Sequence, residues 1–183
     1  MKTITLTKAD FNDKNEYVGK HDVSNFDGNL EIAENLGAVF FREVSVTGNL
    51  LAKAGSGIEA GSGIKAGGGI KAGLDIEAGW GIEVGWGIEA GEGIEASSGI
   101  KAGLSIKCKL TLSSGLRIFA GIATFEIPSG DRLKIICGKL VKGQVCYGKL
   151  VELGLPEDKK PQSLSGKVVE VKLDGQTYKA VIQ

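Results

Sequence analysis

A six-residue period runs from Ala52 to Cys108, and it constrains the architecture before any other feature is read. Written in sixes, the stretch is AKAGSG, IEAGSG, IKAGGG, IKAGLD, IEAGWG, IEVGWG, IEAGEG, IEASSG, IKAGLS, IKC. Ile stands at 58, 64, 70, 76, 82, 88, 94, 100 and 106, and two residues later comes Ala, Val84 or Cys108. Between them is always Glu or Lys. In extended backbone, positions i and i+2 face one side and i+1 the other, so each triplet is a short strand with an apolar inside and a charged outside. The Gly-x-Gly that follows most triplets reads as a corner, because glycine reaches positive φ without a side-chain clash. A helix is excluded. At about 100° per residue a period of six scatters the Ile residues around the axis. The sixteen glycines from Gly55 to Gly103 would each cost a helix about 1 kcal/mol.

No single hexad buries its Ile, so the units stack into coils with Ile on Ile and Ala on Ala. The outward charges do not fix the number of hexads per coil. At a spacing of eighteen, Lys65-Glu83-Lys101 and Lys71-Glu89-Lys107 alternate in sign, while Glu59-Glu77-Glu95 sets like on like, which is unfavourable for opposed neighbours. A spacing of twenty-four pairs opposite charges at least as well.

The repeat resembles that of hexapeptide-repeat parallel β-helix proteins, whose unit carries an aliphatic residue, a small inward residue and a glycine at fixed offsets. The resemblance implies an all-β, single-stranded parallel β-helix: a triangular solenoid of three hexads, about 18 residues, per coil. Here the glycine follows Ala rather than the large aliphatic, so the large and small inward positions are exchanged and either hand of winding is open. Bactofilin-like polymer-forming scaffolds, also triangular but wound the other way, are a second resemblance. The pattern is strict over about a third of the chain and extends loosely over 44–122.

The flanks read as ends for this stack. Residues 1–51 open with a strand, Thr3 to Thr7, and continue as irregular coils forming an N-terminal cap, with Phe40 and Phe41 large enough to plug the first coil. Leu112 and Ile118 keep the Ile phase, so the solenoid spans 52–122. Residues 123–183 lose the period. CGKLV and CYGKLV suggest an antiparallel meander with glycine bends, and Asp174-Gly175 between two alternating runs signals a hairpin.

Lys plus Arg equals Asp plus Glu at 22 each, so no net field draws the chain to nucleic acid or a membrane. Residues 109–183 are the basic part, with twelve basic residues against seven acidic. No apolar leader or spanning run occurs, and the expectation is a cytoplasmic protein with reduced, structural cysteines at 108, 137 and 146. Hexapeptide-repeat enzymes resembling this chain are mostly acyltransferases with a catalytic histidine, or carbonic anhydrases with three histidine zinc ligands. The single histidine, His21, excludes the second and lies upstream of the repeats for the first. No nucleophile motif, phosphate loop or metal cluster appears. The expectation is therefore no enzyme, no cofactor and no metal.

What remains for function is the outside. The residue between the corner glycines is Leu74, Trp80 and Trp86 in three successive hexads, one at each corner of a triangular coil. Exposed aromatics on a rigid frame suggest a surface for a protein partner or for self-association. Burial under the terminal segments is the competing expectation. Glu59, Glu77, Glu83, Glu89, Glu92 and Glu95 make the middle coils acidic. Pentapeptide-repeat β-helices, which such an acidic solenoid face resembles, imply a second function: a small phage or mobile-element inhibitor that blocks a nucleic-acid-handling enzyme.

Overall fold

The computed structural model of the protein describes residues 1–156 and the backbone of Val168–Leu173 and Gln176–Val181. It is an all-β parallel solenoid of about seven turns with almost no helix. Three walls carry the strands. The first holds Thr3–Leu6, Asn29–Ile32, Leu50–Ala52, Ile70–Ala72, Ile88–Ala90, Ile106–Cys108, Lys134–Cys137 and Lys149–Glu152, each paired in parallel with the next. The second holds Gly37–Phe41, Ser56–Ala60, Ile76–Ala78 and Ile94–Ala96. The third holds Val44–Val46, Ile64–Ala66, Ile82–Val84 and Ile100–Ala102. The long strands Thr111–Ala120 and Lys139–Tyr147 then run along the second wall and bend onto the third.

The register fixes the coil at eighteen residues: Ile58 pairs with Ile76, Ile76 with Ile94 and Ile94 with Leu112. Nearer the N-terminus the coil is longer, Leu50 pairing with Ile70. Inside, the Ile column and the Ala column are both buried, from Ile58 to Ile106 and from Ala60 to Cys108. Ser56 and Ser114 occupy inward positions too. The Ser56 hydroxyl donates to the Ala33 carbonyl at 2.7 Å, and that of Ser114 donates to the Ser98 carbonyl at 2.7 Å. Both buried hydroxyls are thus satisfied by the backbone of a neighbouring coil.

The corner glycines work differently from the expectation. Among the described residues the positive-φ glycines are 28, 37, 55, 121, 130, 143, 148 and 154, and no Gly-x-Gly glycine from 61 to 103 is one of them. What those corners need is room. A Cβ on Gly79 would lie 2.1 Å from the Gly61 carbonyl oxygen, on Gly91 1.9 Å from that of Gly73, and on Gly103 1.8 Å from that of Gly85. Each of these corner amides donates to the preceding coil, as Gly79 does to Ala60 and Gly85 to Ala66. Coils held this close leave no space for a methyl group.

Three further readings are revised. The parallel stack begins at Thr3, and Phe41 fills the interior while Phe40, next along the strand, faces outward. The antiparallel meander expected after residue 123 is, over 134–152, parallel strands continuing the solenoid: Ile106 pairs with Ile135, and Ile135 with Leu150. Its periodicity is hidden because the coil spends residues 121–133 on an outward loop and turns its last corners at Gly143 and Gly148, both at positive φ. The two strands of the expected hairpin do pair antiparallel, Val168–Leu173 with Gln176–Val181. Asp174-Gly175 lies outside the described residues.

All three cysteines are free. Cys108 and Cys137 are buried at the ends of adjacent first-wall strands, and burial pushes their thiols up to about 12 and about 11. Cys146 is exposed in the last coil.

Candidate interaction surface

Each wall presents one outward residue per coil, and register turns these into columns. The third wall displays Ser45, Lys65, Glu83, Lys101 and Phe119 in succession, with Tyr147 beyond. The first displays Leu51, Lys71, Glu89 and Lys107, with Ile136 beyond. The second displays Phe40, Glu59, Glu77, Glu95 and Ser113. Strands on neighbouring coils stand about 4.8 Å apart, so column members interact directly.

Two columns alternate in sign and pair. Lys101 donates to Glu83 at 2.7 Å, and Lys71 donates to Glu89 at 2.8 Å. The hydrogen bond from Lys101 holds the Glu83 carboxyl below the usual glutamate range. The second-wall column repels itself. Burial against the wall first, and then the charges of Glu59, Asp75 and Glu95, push the Glu77 carboxyl up. At the adjoining corner Glu92 is raised by a hydrogen bond with Asp75 and by its charge. Asp75 also accepts from the Gly93 amide at 2.7 Å.

The six glutamates therefore do not form one acidic face. Glu83 belongs to the third wall and Glu89 to the first, each tied to a lysine. Glu59, Glu77 and Glu95 share the second wall, and Glu92 sits at its leading corner. Asp75 joins this group although no motif singles it out: it occupies a corner position that is Gly in most hexads. Its place in the cluster depends on eighteen-residue register, which the charges alone leave open.

Titration at Glu77 has a definite sign. A carboxyl whose folded-state pKa is raised contributes stability that is fully present below its ordinary value of 4.5 and is lost as pH rises through the raised one. Glu77→Gln should therefore be more stable than the natural chain at pH 7, with the gain vanishing in acid below that value. Glu77→Lys should gain by up to about 1 kcal/mol at pH 7, because a lysine between Glu59 and Glu95 makes this column alternate in sign like the other two. Urea denaturation at pH 7 and pH 4 measures both, and a Glu77→Gln variant less stable at pH 7 than the natural chain would contradict this account.

The tryptophans sit where the hexads place them, one coil and three corners. Leu74 is at the corner from first to second wall, Trp80 at the corner from second to third, and Trp86 at the corner from third to first. Corner residues stack as columns through backbone bonds: Trp80 N–H donates to Ser62 and Ser98 N–H to Trp80, while Trp86 N–H donates to Gly68 and Leu104 N–H to Trp86. Trp80 is 69% exposed and Trp86 55% exposed, and Leu74 is half-buried. Among the described residues, no terminal segment buries the tryptophans. Trp86 meets Phe125 of the 121–133 loop at a ring separation of 6.2 Å and 38°, and both rings remain open to solvent.

The third wall thus lies between two exposed tryptophans, with the apolar surface continued by Leu116 two coils beyond Trp80 and by Phe125 beside Trp86. Two shallow grooves follow it. One is lined by Lys65, Glu83, Lys101, Leu116, Arg117 and Phe119, and the other runs beneath Trp86 and Phe125. Leu74 is at the opposite corner of the triangle and does not join them. Leu116 keeps the corner phase of Trp80, two residues before Ile118, whereas Phe125 lies past the repeat and only the fold brings it here.

His21 does not line either groove of this surface. It lies in the N-terminal coil, half-buried, with its backbone bonded both ways to the Tyr17 hydroxyl. No helix among the described residues is long and apolar enough to cross a membrane. Compared with protein-family models, with curated proteins and with solved structures, the chain matches none of them.

Proposed function

We propose that this protein is a non-catalytic β-solenoid that binds a protein partner, or a second copy of itself, through its third wall, and that it works in the cytoplasm. The observation that carries the reading is the pair of exposed tryptophans bracketing the strand Ile82–Val84. Both are held by corner backbones hydrogen-bonded on either side, so each ring is presented on a frame already ordered. Large rigid aromatics lose little entropy on association and dominate interface energetics. Between them the Glu83–Lys101 pair, Lys65 and Arg117 supply the polar contacts that fix orientation. The two rings are six residues apart, at most about 20 Å of strand, which suits the span of one protein interface.

Trp80→Ala and Trp86→Ala should each weaken binding by at least about 2 kcal/mol, roughly thirtyfold. Neither should change folding stability by more than about 0.5 kcal/mol, since neither ring supports the core. Sedimentation measures self-association, and titration with the captured partner measures the hetero-complex. A double variant that keeps both undiminished ends the proposal.

A second reading is an inhibitor that presents the second wall to a basic, nucleic-acid-binding site on its target. Its support is the Glu59-Glu77-Glu95 column with Asp75 and Glu92 alongside, a like-charge arrangement that is unfavourable within the monomer. The two readings separate on one variant. Glu77→Lys abolishes binding through the second wall and leaves binding through the tryptophans intact.

A further inference from the structure

The two ends of the solenoid are finished differently. At the N-terminal end the outermost inward residues are covered, with Leu6, Phe11, Val23 and Phe26 at 1%, 6%, 7% and 8% exposure. Phe11 stands edge-on to Phe41 at 5.9 Å and to Tyr17 at 5.8 Å, and this cluster seals the interior. At the other end the inward residues of the last coil, Leu140, Val145 and Leu150, pack against the core from one side and stay partly exposed. Around them Val141, Tyr147, Leu153 and Leu155 are 60%, 51%, 71% and 49% exposed. Lys139–Tyr147 and Lys149–Glu152 are paired on one side among the described residues. An open apolar end with unpaired strand edges is a template for association unless something covers it.

The same chain carries an element that needs a surface. In the antiparallel pair Val168–Leu173 and Gln176–Val181, Val169 is opposite Ala180, Val171 opposite Tyr178 and Leu173 opposite Gln176. Alternation places these six register positions on one face, all but Gln176 of them apolar, and places Glu170, Lys172, Thr177 and Lys179 on the other, with Val168 opposite Val181 at its end. A two-stranded hairpin by itself is marginally stable at best in water. From Pro156, just past the open coil, to Val168 is twelve residues, a reach of up to about 40 Å. A side of the triangular coil spans about 20 Å, so the tether is ample.

We infer that the Val168–Val181 hairpin docks by its Val169-Val171-Tyr178 face onto the open end of the solenoid, over Leu140, Val145 and Leu150. Both ends are then closed and the molecule does not polymerise end to end. Lateral contacts, such as the third wall, remain for association. The inference is independent of what the tryptophans bind.

Hydrogen exchange on the full chain tests it. With the hairpin docked, Val171→Asp should speed exchange of amides within Lys139–Glu152 by tenfold or more, and the amides of Ile76–Ala102 should be unaffected. Unchanged exchange in 139–152 overturns the inference. So does natural-chain protection there that rises with protein concentration, since a second copy would then be the cover. A nitroxide on Cys146, the exposed cysteine of the last coil, gives a second measure that needs no destabilised variant. It should broaden the amide resonances of 168–181 within the same molecule. Broadening seen only between labelled and isotope-enriched chains, or none at all, counts against docking.

Discussion

Ile94→Ala is expected to destabilise the protein by about 2–5 kcal/mol, as for truncation of a fully buried isoleucine. Ile94 is 1% exposed and stacks between Ile76 and Leu112 on the second wall. Removing its outer carbons loses burial and leaves a cavity bounded above and below by side chains on strands of fixed spacing. The wall cannot collapse into it, because the ladder hydrogen bonds on both sides set the distance between coils. The same reasoning makes Glu95→Ala, one residue along and pointing out, nearly silent, within about 0.5 kcal/mol. Because each coil contacts only its neighbours, the loss should fall on the adjacent coils first. Denaturant titration gives the total, and exchange protection should drop most in 76–118. A loss spread evenly to the Thr3–Leu6 strand would mean the solenoid unfolds as one unit.

Gly103→Ala is expected to cost about 1–3 kcal/mol, the range for forcing a methyl group into a packed site. The added carbon would lie 1.8 Å from the Gly85 carbonyl oxygen, and that backbone must retreat. The chain itself bounds the effect. Ser97 occupies the equivalent position above Gly79, so one Cβ is absorbed where the preceding coil presents glycine, as Gly85 does to Gly103. Gly85→Ala combined with Gly103→Ala removes that relief, and the pair should cost more than the sum of its members. Thermal unfolding of the three variants decides. An unchanged midpoint for Gly103→Ala would show that coil spacing is softer than the ladder suggests.

That result bears on how far the residues alone can be read. The Ile-Glu/Lys-Ala triplet predicts strand, inward and outward sets, and corners, because those follow from period-two alternation within a few residues. The corner glycines are legible as necessary, but not in their reason. Backbone freedom is a local property and is visible in a sequence, whereas the approach of Gly79 to Gly61 or Gly103 to Gly85 exists only between coils. The last coils escape the periodicity for a related cause. Ile135 and Leu150 sit in the same column as Ile106, yet they are 29 and 44 residues beyond it, out of any six-residue phase.

The candidate surface divides the same way. That Trp80 and Trp86 stand at corners one hexad apart is written in the repeat. That they bracket one wall, stay exposed, and acquire Phe125 and Leu116 as neighbours depended on where the 121–133 loop and the Thr111–Ala120 strand were laid. The glutamates illustrate the limit from the other side. Their number and middle-coil position are sequence facts, but a triangular cross-section sends Glu83 and Glu89 to different walls and ties each to a lysine. By itself the sequence determined the solenoid, because stacking of near-identical short strands is the way such a chain buries its Ile column. The tertiary structure decided coil size, the ends and the surface, since these depend on which residues eighteen or more positions apart come to lie side by side.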